Sequence, residues 1–397
     1  MKELTRAEQK LNWIRKYGSS ICTFAYFLAM IILNQMTSSL GSVFWYVTVL
    51  ACVLTGLLSH RLHLSNNAVF FISFCLVSGL LNMMLVGNSS LSKQVFLIFG
   101  VFMAWVMADD GLDPNCLLAA LYLNVAVVAY HFVRYGVYEQ AYATASNNFV
   151  SVQLLYPAVI YYTVLERQGK RITVFPAALV WLFSLLAAGR GGILTCTLFL
   201  GLLLAYLALK GMKKWPAGER HMVITAVAVV AAVAVIAALG NLSQIIARHE
   251  IFRTFADRGL RSSRSILWSG YWEECFRNLR YLLFGGSNKE ISVLGEFSYN
   301  LHNSFFAVHQ YNGIIMLVYV LALCIRSFMY GFREKRWVFL ICFATLFLRS
   351  ATDFAFWTVY GTPVFFFFLF LPDERHYGWI RRERTRNALQ EEVTERP

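Results

Sequence analysis

The chain has 397 residues, of which 58% are hydrophobic and 14% are charged, and its mean hydropathy is +0.54. This composition lacks the polar residues needed to cover a water-facing surface, so it excludes a soluble globular enzyme and predicts an integral membrane protein. The formal net charge of +13 does not indicate nucleic-acid binding, because the basic residues lie in short stretches between apolar runs. We therefore expect no nucleic-acid partner.

Apolar runs follow one another along the chain, and the charged residues 1–17 lead directly into the first, which predicts a retained anchor rather than a cleaved signal. Except for Cys275, the cysteines lie in or beside these runs, so we expect neither a disulfide framework nor a cysteine metal site. The runs predict an all-α protein with about twelve transmembrane helices, at 18–37, 41–58, 68–86, 94–108, 116–136, 150–165, 172–188, 193–209, 222–240, 303–325, 337–350 and 353–371.

The distribution of Lys and Arg predicts how the chain is oriented in the membrane. Outside the polar segment 241–302, these residues concentrate in alternate connections, which face the cytoplasm if the N-terminus does. We therefore expect residues 1–17 and the basic tail 372–397 to be cytoplasmic. Nine helices (18–240) then precede an outward-facing segment, and three helices (303–371) follow it.

Segment 241–302 is not a low-complexity linker. Apolar side chains recur in it at roughly helical spacing between charges, first over 245–255 and then over 266–279. This pattern predicts two amphipathic helices at the outer interface of the membrane. Gly285-Gly286-Ser287-Asn288 is a helix-breaking sequence that should end the second of them.

Arg190 lies in Gly189-Arg190-Gly191-Gly192, a tight outward-facing connection between two apolar helices. A guanidinium in this position, with backbone N–H groups left accessible by glycines, can bind a phosphate through two hydrogen bonds. An arginine that only extends toward the headgroups at a helix end is the alternative. Its isolation among apolar neighbours favours a functional role, because a charge in that setting is costly unless it is paired or used.

Three further arginines, Arg258, Arg261 and Arg264, recur every three residues just before the second amphipathic helix. At this spacing several of them can point the same way, which predicts an anion site. A basic stripe in contact with lipid headgroups explains any single one of them about equally well.

His302 stands where the outward-facing segment meets the next apolar helix. A neutral imidazole accepts a proton near pH 7, and this position is close to both water and lipid, so we predict that His302 is the catalytic base. Histidines are more often structural, but the neighbouring amides and the side shared with Arg190 favour function. The residues predicted to contact an acceptor or a glycan are Tyr299, Asn300, Asn303 and Asn148, although a helix cap explains Asn148 nearly as well.

Metal and nucleotide sites are not expected. The acidic cluster Asp109-Asp110-Gly111-Leu112-Asp113 falls on the cytoplasmic side, where a solvated turn is the favoured interpretation. The first outward connection contains no carboxylate, and the chain has no phosphate-cradling Gly-x-x-x-x-Gly-Lys sequence. We therefore predict no metal and no cofactor.

Three stretches together resemble the O-antigen ligase and polymerase superfamily of bacterial envelope polysaccharide assembly. Each is short, but their order and the long outer loop between the ninth and tenth helices make the combination specific. The resemblance covers roughly residues 140–330 and departs from the family where Phe284-Gly285-Gly286 replaces a Gly-x-Gly pattern. The three stretches are Gly189–Gly192, Arg264–Trp268 leading to Phe284–Gly286, and His302–Phe305 followed by Tyr311–Ile315.

The resemblance implies a GT-C type glycosyltransferase of the bacterial inner membrane that needs neither metal nor nucleotide. Its substrate would be a glycan on undecaprenyl pyrophosphate. A sugar hydroxyl attacks the anomeric carbon at the periplasmic face, and the lipid pyrophosphate leaves. On matching positions, Arg190 and Arg264 would bind the pyrophosphate and His302 would activate or orient the acceptor. Membrane lipids and a chain-length regulator protein are further candidate partners.

Three functions remain open. A polymerase joins one lipid-linked repeat unit to another, whereas a ligase transfers the glycan to lipid A core. The short outer connections and the asparagine-rich start of the sixth helix favour the polymerase. A glycolipid transporter without chemistry should carry polar residues near the bilayer midplane or show two related halves, whereas this sequence has its charges at segment ends and no visible internal repeat.

Overall fold

The structure, a computed structural model, describes residues 6–35, 39–59, 64–136, 142, 146–187, 189–212, 264–296, 299–357 and 361–373. Within these ranges the secondary structure is helical, as the sequence predicts, and no strand occurs. The helices are α1 (Arg6–Gln35), α2 (Ser39–Ser59), α3 (Asn66–Leu85), α4 (Leu91–Met107), α5 (Pro114–Tyr135), α6 (Asn148–Arg167), α7 (Phe175–Leu186), α8 (Arg190–Gly211), α9 (Arg264–Arg277), α10 (Leu279–Phe284), α11 (Ser292–Glu296), α12 (Ser304–Arg333), α13 (Trp337–Thr352) and α14 (Thr362–Asp373).

Six of the described helices are long and apolar enough to cross a membrane, which identifies a multi-pass membrane protein. They comprise part of α1 (Tyr17–Gln35) and the whole of α3, α5, α6, α8 and α12. Helices α4, α7, α13, α14 and part of α2 (Val43–Thr55) are shorter apolar helices. The predicted span 222–240 lies outside the described residues, and every other predicted span overlaps one of these helices. The total of twelve crossings stays a prediction.

Three predicted boundaries differ from the structure. The tenth predicted span, 303–325, continues as α12 to Arg333. The last predicted span begins at 353, but residues 353–357 are irregular and α14 begins at Thr362. The second amphipathic helix is divided at Asn278, whose side chain accepts a hydrogen bond from the Arg280 backbone N–H at 3.0 Å and so caps a new short helix. The first amphipathic helix, over 245–255, lies outside the described residues.

Helix α6 lies at the centre of the bundle. Of its apolar window, 89% is buried inside the protein, because it packs against α5, α7, α8 and α13. At one end, the Glu166 carboxylate accepts hydrogen bonds from the first backbone N–H groups of α13, those of Val338 and Phe339, at 2.9 and 3.1 Å. At the other end, the start of α6 meets the start of α8 and the end of α13. That end of the bundle carries the candidate site.

Helix α12 is interrupted at Gly313, which has φ +79° and ψ 178°. A side chain at this position would overlap the Leu283 carbonyl, so the glycine lets the end of α10 enter the break. Just before the break, the Gln310 carbonyl accepts a hydrogen bond from Asn82 Nδ2 of α3 at 3.0 Å. The segment Phe284–Gly286 after α10 therefore meets the segment Tyr311–Ile315 of α12 at this break; we call this contact the joint at Gly313.

A chain of buried hydrogen bonds fixes α9 against α12. His309 Nδ1 and the Tyr271 hydroxyl are 2.7 Å apart, and the Gly286 backbone N–H donates to the same hydroxyl at 3.2 Å. On the other side of the ring, His309 Nε2 lies 2.9 Å from the Leu282 carbonyl oxygen. Both ring nitrogens are used and His309 is fully buried, so its contacts serve to hold the helix that carries Arg264.

Candidate active site

The candidate site lies where the irregular segment after α13 passes over the starts of α6, α8, α9 and α12. Asn303 Nδ2 donates to the Ala351 carbonyl at 2.9 Å. The Ser304 hydroxyl donates to the Asp353 carbonyl at 3.0 Å and accepts from the Ala355 backbone N–H at 2.8 Å. These bonds tie the end of α13 to the start of α12, and they bring His302 next to Asp353.

Asp353 is the centre of the site, and its two carboxylate oxygens have different partners. Its Oδ2 lies 2.9 Å from Arg349 Nη2 and 4.0 Å from Arg264 Nη2. Its Oδ1 accepts a hydrogen bond from the Phe354 backbone N–H at 2.9 Å and lies 3.5 Å from His302 Nδ1. One carboxylate thus contacts two guanidinium groups on one side and an imidazole on the other.

The surroundings of Asp353 keep it ionised. Burial alone would raise the pKa of its carboxyl group. The contact with His302 and the positive charge of Arg349 outweigh this effect, and the Phe354 N–H and the charge of Arg264 add to them. The pKa of Asp353 therefore lies well below its usual range, and the carboxylate is charged at any physiological pH.

Arg264 begins α9 and reaches the end of α13, where its Nη1 donates to the Thr352 carbonyl. Burial lowers the pKa of this guanidinium, Asp353 opposes that effect, and the charges of Arg349 and Arg190 lower it further. Arg190 is therefore close enough to act electrostatically on Arg264. Arg190 and Arg264 are far apart in the sequence but interact electrostatically, and Arg349 lies beside both; we call these three residues the arginine cluster.

The glycines around Arg190 allow the start of α8 to pack closely on its neighbours. A Cβ atom at Gly189 would lie 2.8 Å from Asn148 Oδ1, and one at Gly192 would overlap the Ser151 side chain. A Cβ atom at Gly191 would lie 3.2 Å from Arg349 Nη1. The three glycines thus place the N-terminus of α8, and with it Arg190, directly beside α6 and the buried guanidinium of Arg349.

The turn that carries His302 has an unusual backbone. His302 has φ +48° and Tyr299 has φ +60°, both in the left-handed region that residues other than glycine rarely adopt. The Asn300 side chain accepts a hydrogen bond from the His302 backbone N–H at 2.8 Å, and Trp268 Nε1 donates to the Leu301 carbonyl at 2.7 Å. Strained conformations that are held by several contacts are typical of functional sites.

A histidine that faces a carboxylate through Nδ1 is suited to proton transfer at Nε2. The carboxylate orients the ring and stabilises the imidazolium that forms when the base takes up a proton. His302 Nδ1 lies 3.5 Å from Asp353 Oδ1, at the outer limit of a hydrogen bond, so a small movement of the ring would bring the two groups into direct contact. The His302 side chain is 34% exposed, so a substrate can reach it.

The amides predicted to contact a glycan have visible structural roles. The Asn303 side chain caps α12 by accepting hydrogen bonds from Phe305 and Phe306, and it is 6% exposed. Asn148 is exposed at the start of α6, and its carbonyl accepts a hydrogen bond from Arg349 Nη2 at 3.0 Å. Contact of Tyr299, Asn300, Asn303 or Asn148 with a glycan stays a prediction.

Two predicted anion-binding residues, Arg258 and Arg261, lie outside the described residues. Conversely, the sequence interpretation missed Arg349 and Asp353 as site residues. A signal for them was present, because an arginine near the end of an apolar run is costly unless it is paired, and an aspartate four residues later lies on the same helical face.

The acidic cluster on the predicted cytoplasmic side has protein partners rather than being only a solvated turn. Asp109 accepts a hydrogen bond from Ser19 at 2.6 Å, Asp110 pairs with Arg167 at 2.5 Å, and Asp113 caps α5.

In the part of the chain that the structure describes, no group of three or more His, Cys, Asp and Glu residues could hold a metal ion. No family model, curated protein or solved structure matches this chain.

Proposed function

We propose that this protein is a membrane glycosyltransferase that polymerises oligosaccharide repeat units linked to undecaprenyl pyrophosphate, at the periplasmic face of a bacterial inner membrane. The observation that carries the proposal is the arginine cluster beside His302: the guanidinium groups of Arg349 and Arg264 lie 2.9 and 4.0 Å from the carboxylate of Asp353, and Arg190 acts electrostatically on Arg264. Arginine side chains at a helix start suit an anionic ligand, and the neighbouring imidazole suits a reaction that removes a proton.

The charge of the substrate suits these arginines. A glycan joined to a polyprenyl diphosphate carries a negative charge on each phosphorus, and departure of the diphosphate adds one more. Arg190 and Arg264 would bind these oxygens and stabilise the charge that develops on the leaving group. The N-terminus of α8 supports the same role, because backbone N–H groups at a helix start favour anions.

His302 would accept the proton from the attacking sugar hydroxyl. The hydroxyl oxygen forms a bond to the anomeric carbon of the donor, the bond between that carbon and the phosphate oxygen breaks, and the proton moves to Nε2 of the imidazole. Asp353 would orient the ring through Nδ1 and stabilise the imidazolium. These roles need no nucleotide and no metal ion, in keeping with the family that the three stretches resemble.

The proposal is tested with purified protein and undecaprenyl-pyrophosphate-linked repeat units in detergent or in liposomes. We expect a ladder of longer lipid-linked glycans without lipid A. In the His302→Ala variant we expect the ladder to disappear while the lipid-linked substrate still binds, because general-base catalysis contributes about 10²–10⁴-fold to rates. Polymer of normal length and yield from that variant would rule out His302 as the base.

The same assay separates the alternative functions. Product that forms only after lipid A core is added would identify a ligase. If lipid-linked glycan crosses the liposome membrane and no new glycosidic bond forms, the protein is a transporter. The placement of the charged groups at one end of the bundle, with Arg349 paired to Asp353, favours a reaction site over a transport path through the midplane.

A further inference from the structure

Arg349 differs from the other two members of the arginine cluster because it is buried. Its side chain is 1% exposed, within the apolar helix α13, so it cannot contact a substrate directly. Its Nη2 donates both to Asp353 Oδ2 at 2.9 Å and to the Asn148 carbonyl at 3.0 Å. One nitrogen atom therefore joins the end of α13, the start of α6 and the carboxylate at the centre of the site.

The remaining donors of Arg349, its Nε and Nη1 atoms, are buried and form no hydrogen bond within the described part of the chain. A buried guanidinium with unused donors costs free energy, and an apolar side chain of similar size would often give a more stable protein. A specific role is therefore needed to explain why an arginine occupies this position.

The geometry of Asp353 indicates that role. Because Arg349 holds Oδ2, the carboxylate cannot rotate freely, and Oδ1 is directed toward His302 Nδ1. Arg264 lies 4.0 Å from the same Oδ2, too far for a hydrogen bond that would fix the carboxylate. Tyr156 of α6 also lies near Asp353 and Arg349, but its hydroxyl donates to the Ala355 carbonyl instead. The Phe354 backbone N–H donates to Oδ1 at 2.9 Å, and Arg349 is the side chain that holds Oδ2, so these two contacts together fix the orientation of Asp353.

We propose that Arg349 is a positioning residue that acts on His302 through Asp353: it keeps the carboxylate directed at the imidazole, and it takes no part in binding the diphosphate. This inference rests on the proposed function. It assigns different roles within the arginine cluster: Arg190 and Arg264 would bind the substrate, whereas Arg349 would orient the catalytic base His302 through Asp353.

A double-mutant cycle tests whether Arg349 acts through Asp353. We expect Asp353→Asn and Arg349→Met each to lower kcat by about 10²-fold or more, with KM for the lipid-linked repeat changed less than about threefold. If Arg349 acts only through Asp353, the double variant should have the kcat of Asp353→Asn alone and not the product of the two losses. Arg349→Lys, which keeps the charge, should recover part of the loss.

Thermal unfolding of the same variants separates positioning from damage to the fold. Each single variant leaves one buried charge without its partner, so each should unfold at a lower temperature than the double variant. A matched control is the Arg326–Asp373 pair of α12 and α14, whose atoms are 2.6 Å apart and which is remote from the site in sequence and contacts. Arg326→Met with Asp373→Asn should change stability while kcat per folded molecule stays at the wild-type value.

The possible results discriminate between the two proposals. Multiplicative losses of kcat in the double variant, or a rise in KM for Arg349→Met as large as that for Arg264→Gln, would overturn the positioning role while leaving glycosyl transfer intact. Absence of any product from the wild-type protein and lipid-linked repeat units would overturn the proposed function and this inference with it. A double variant that unfolds below both single variants would show that the two charges do not depend on each other.

Discussion

Replacing Arg264 by Gln should selectively weaken the binding of a prenyl diphosphate. Arg264 lies 4.0 Å from Asp353 and its side chain is 27% exposed, so a phosphate that binds at a similar distance would be only partly screened by water. Two unit charges 4 Å apart interact by about 1 kcal/mol in water and about 4 kcal/mol at an effective dielectric constant of 20. An intermediate value of about 2 kcal/mol corresponds to roughly a 30-fold increase in Kd.

The measurement is titration calorimetry in detergent with farnesyl diphosphate, and with farnesol as the uncharged comparison. Farnesol binding should be unchanged in Arg264→Gln, because only the charged headgroup is affected. The matched control is Arg277→Gln on the same helix, since Arg277 is exposed, pairs with Glu273 and Glu274, and lies at the opposite end of α9. Wild-type affinity for the diphosphate in Arg264→Gln, or an equal loss in Arg277→Gln, would refute the assignment of the anion site to Arg264.

Other substitutions test the packing and the charge of the site. Gly192→Ala should lower the unfolding free energy by about 1–3 kcal/mol, because its Cβ would overlap Ser151, and adding Ser151→Gly should restore most of it; chemical denaturation checks both variants. Tyr271→Phe leaves His309 Nδ1 without its partner and should cost about 1–3 kcal/mol, measured as a lower Tm; an unchanged Tm would contradict the buried hydrogen-bond chain. Because the folded-state pKa of Asp353 lies below the ordinary value of about 4, its carboxylate stabilises the protein above about pH 4, and the contribution is lost as the pH falls toward the folded-state pKa. The difference in unfolding free energy between wild type and Asp353→Asn should therefore shrink below about pH 4, and a constant difference down to pH 3 would contradict this.

Most of the helices follow from the sequence because a hydrophobic span is a local property. Each apolar run either has the length and composition of a membrane helix or does not, and neighbouring elements hardly affect this. The boundaries were less predictable. Nothing local marks Gly313 as a break within α12, since the break depends on the end of α10, which lies next to it only in the folded protein.

The candidate site was predictable in part for the same reason. Arg190 and His302 stand out because each lies at the edge of an apolar helix next to glycines or amides, and Arg264 stands out because arginines recur every three residues before an amphipathic helix. Asp353 was counted as the start of the last helix, whereas in the structure it caps α13 and the chain continues without regular structure. The burial of Arg349 is not evident from the sequence, because it depends on α6 and α8, which pack around it only in the folded protein.

The contacts of Asn82 have a consequence for how the protein is made. This asparagine is fully buried in α3, and it donates to the carbonyls of Phe284 and Gln310, which the ribosome adds some two hundred residues later. The Asn82 amide oxygen has a nearby partner, the Ser89 backbone N–H, but until Phe284 and Gln310 emerge the amide NH₂ group of a newly inserted α3 must stay unsatisfied or bond to water and lipid headgroups. The nascent chain therefore remains an incomplete bundle through most of its synthesis, and the joint at Gly313 is among the last features to close.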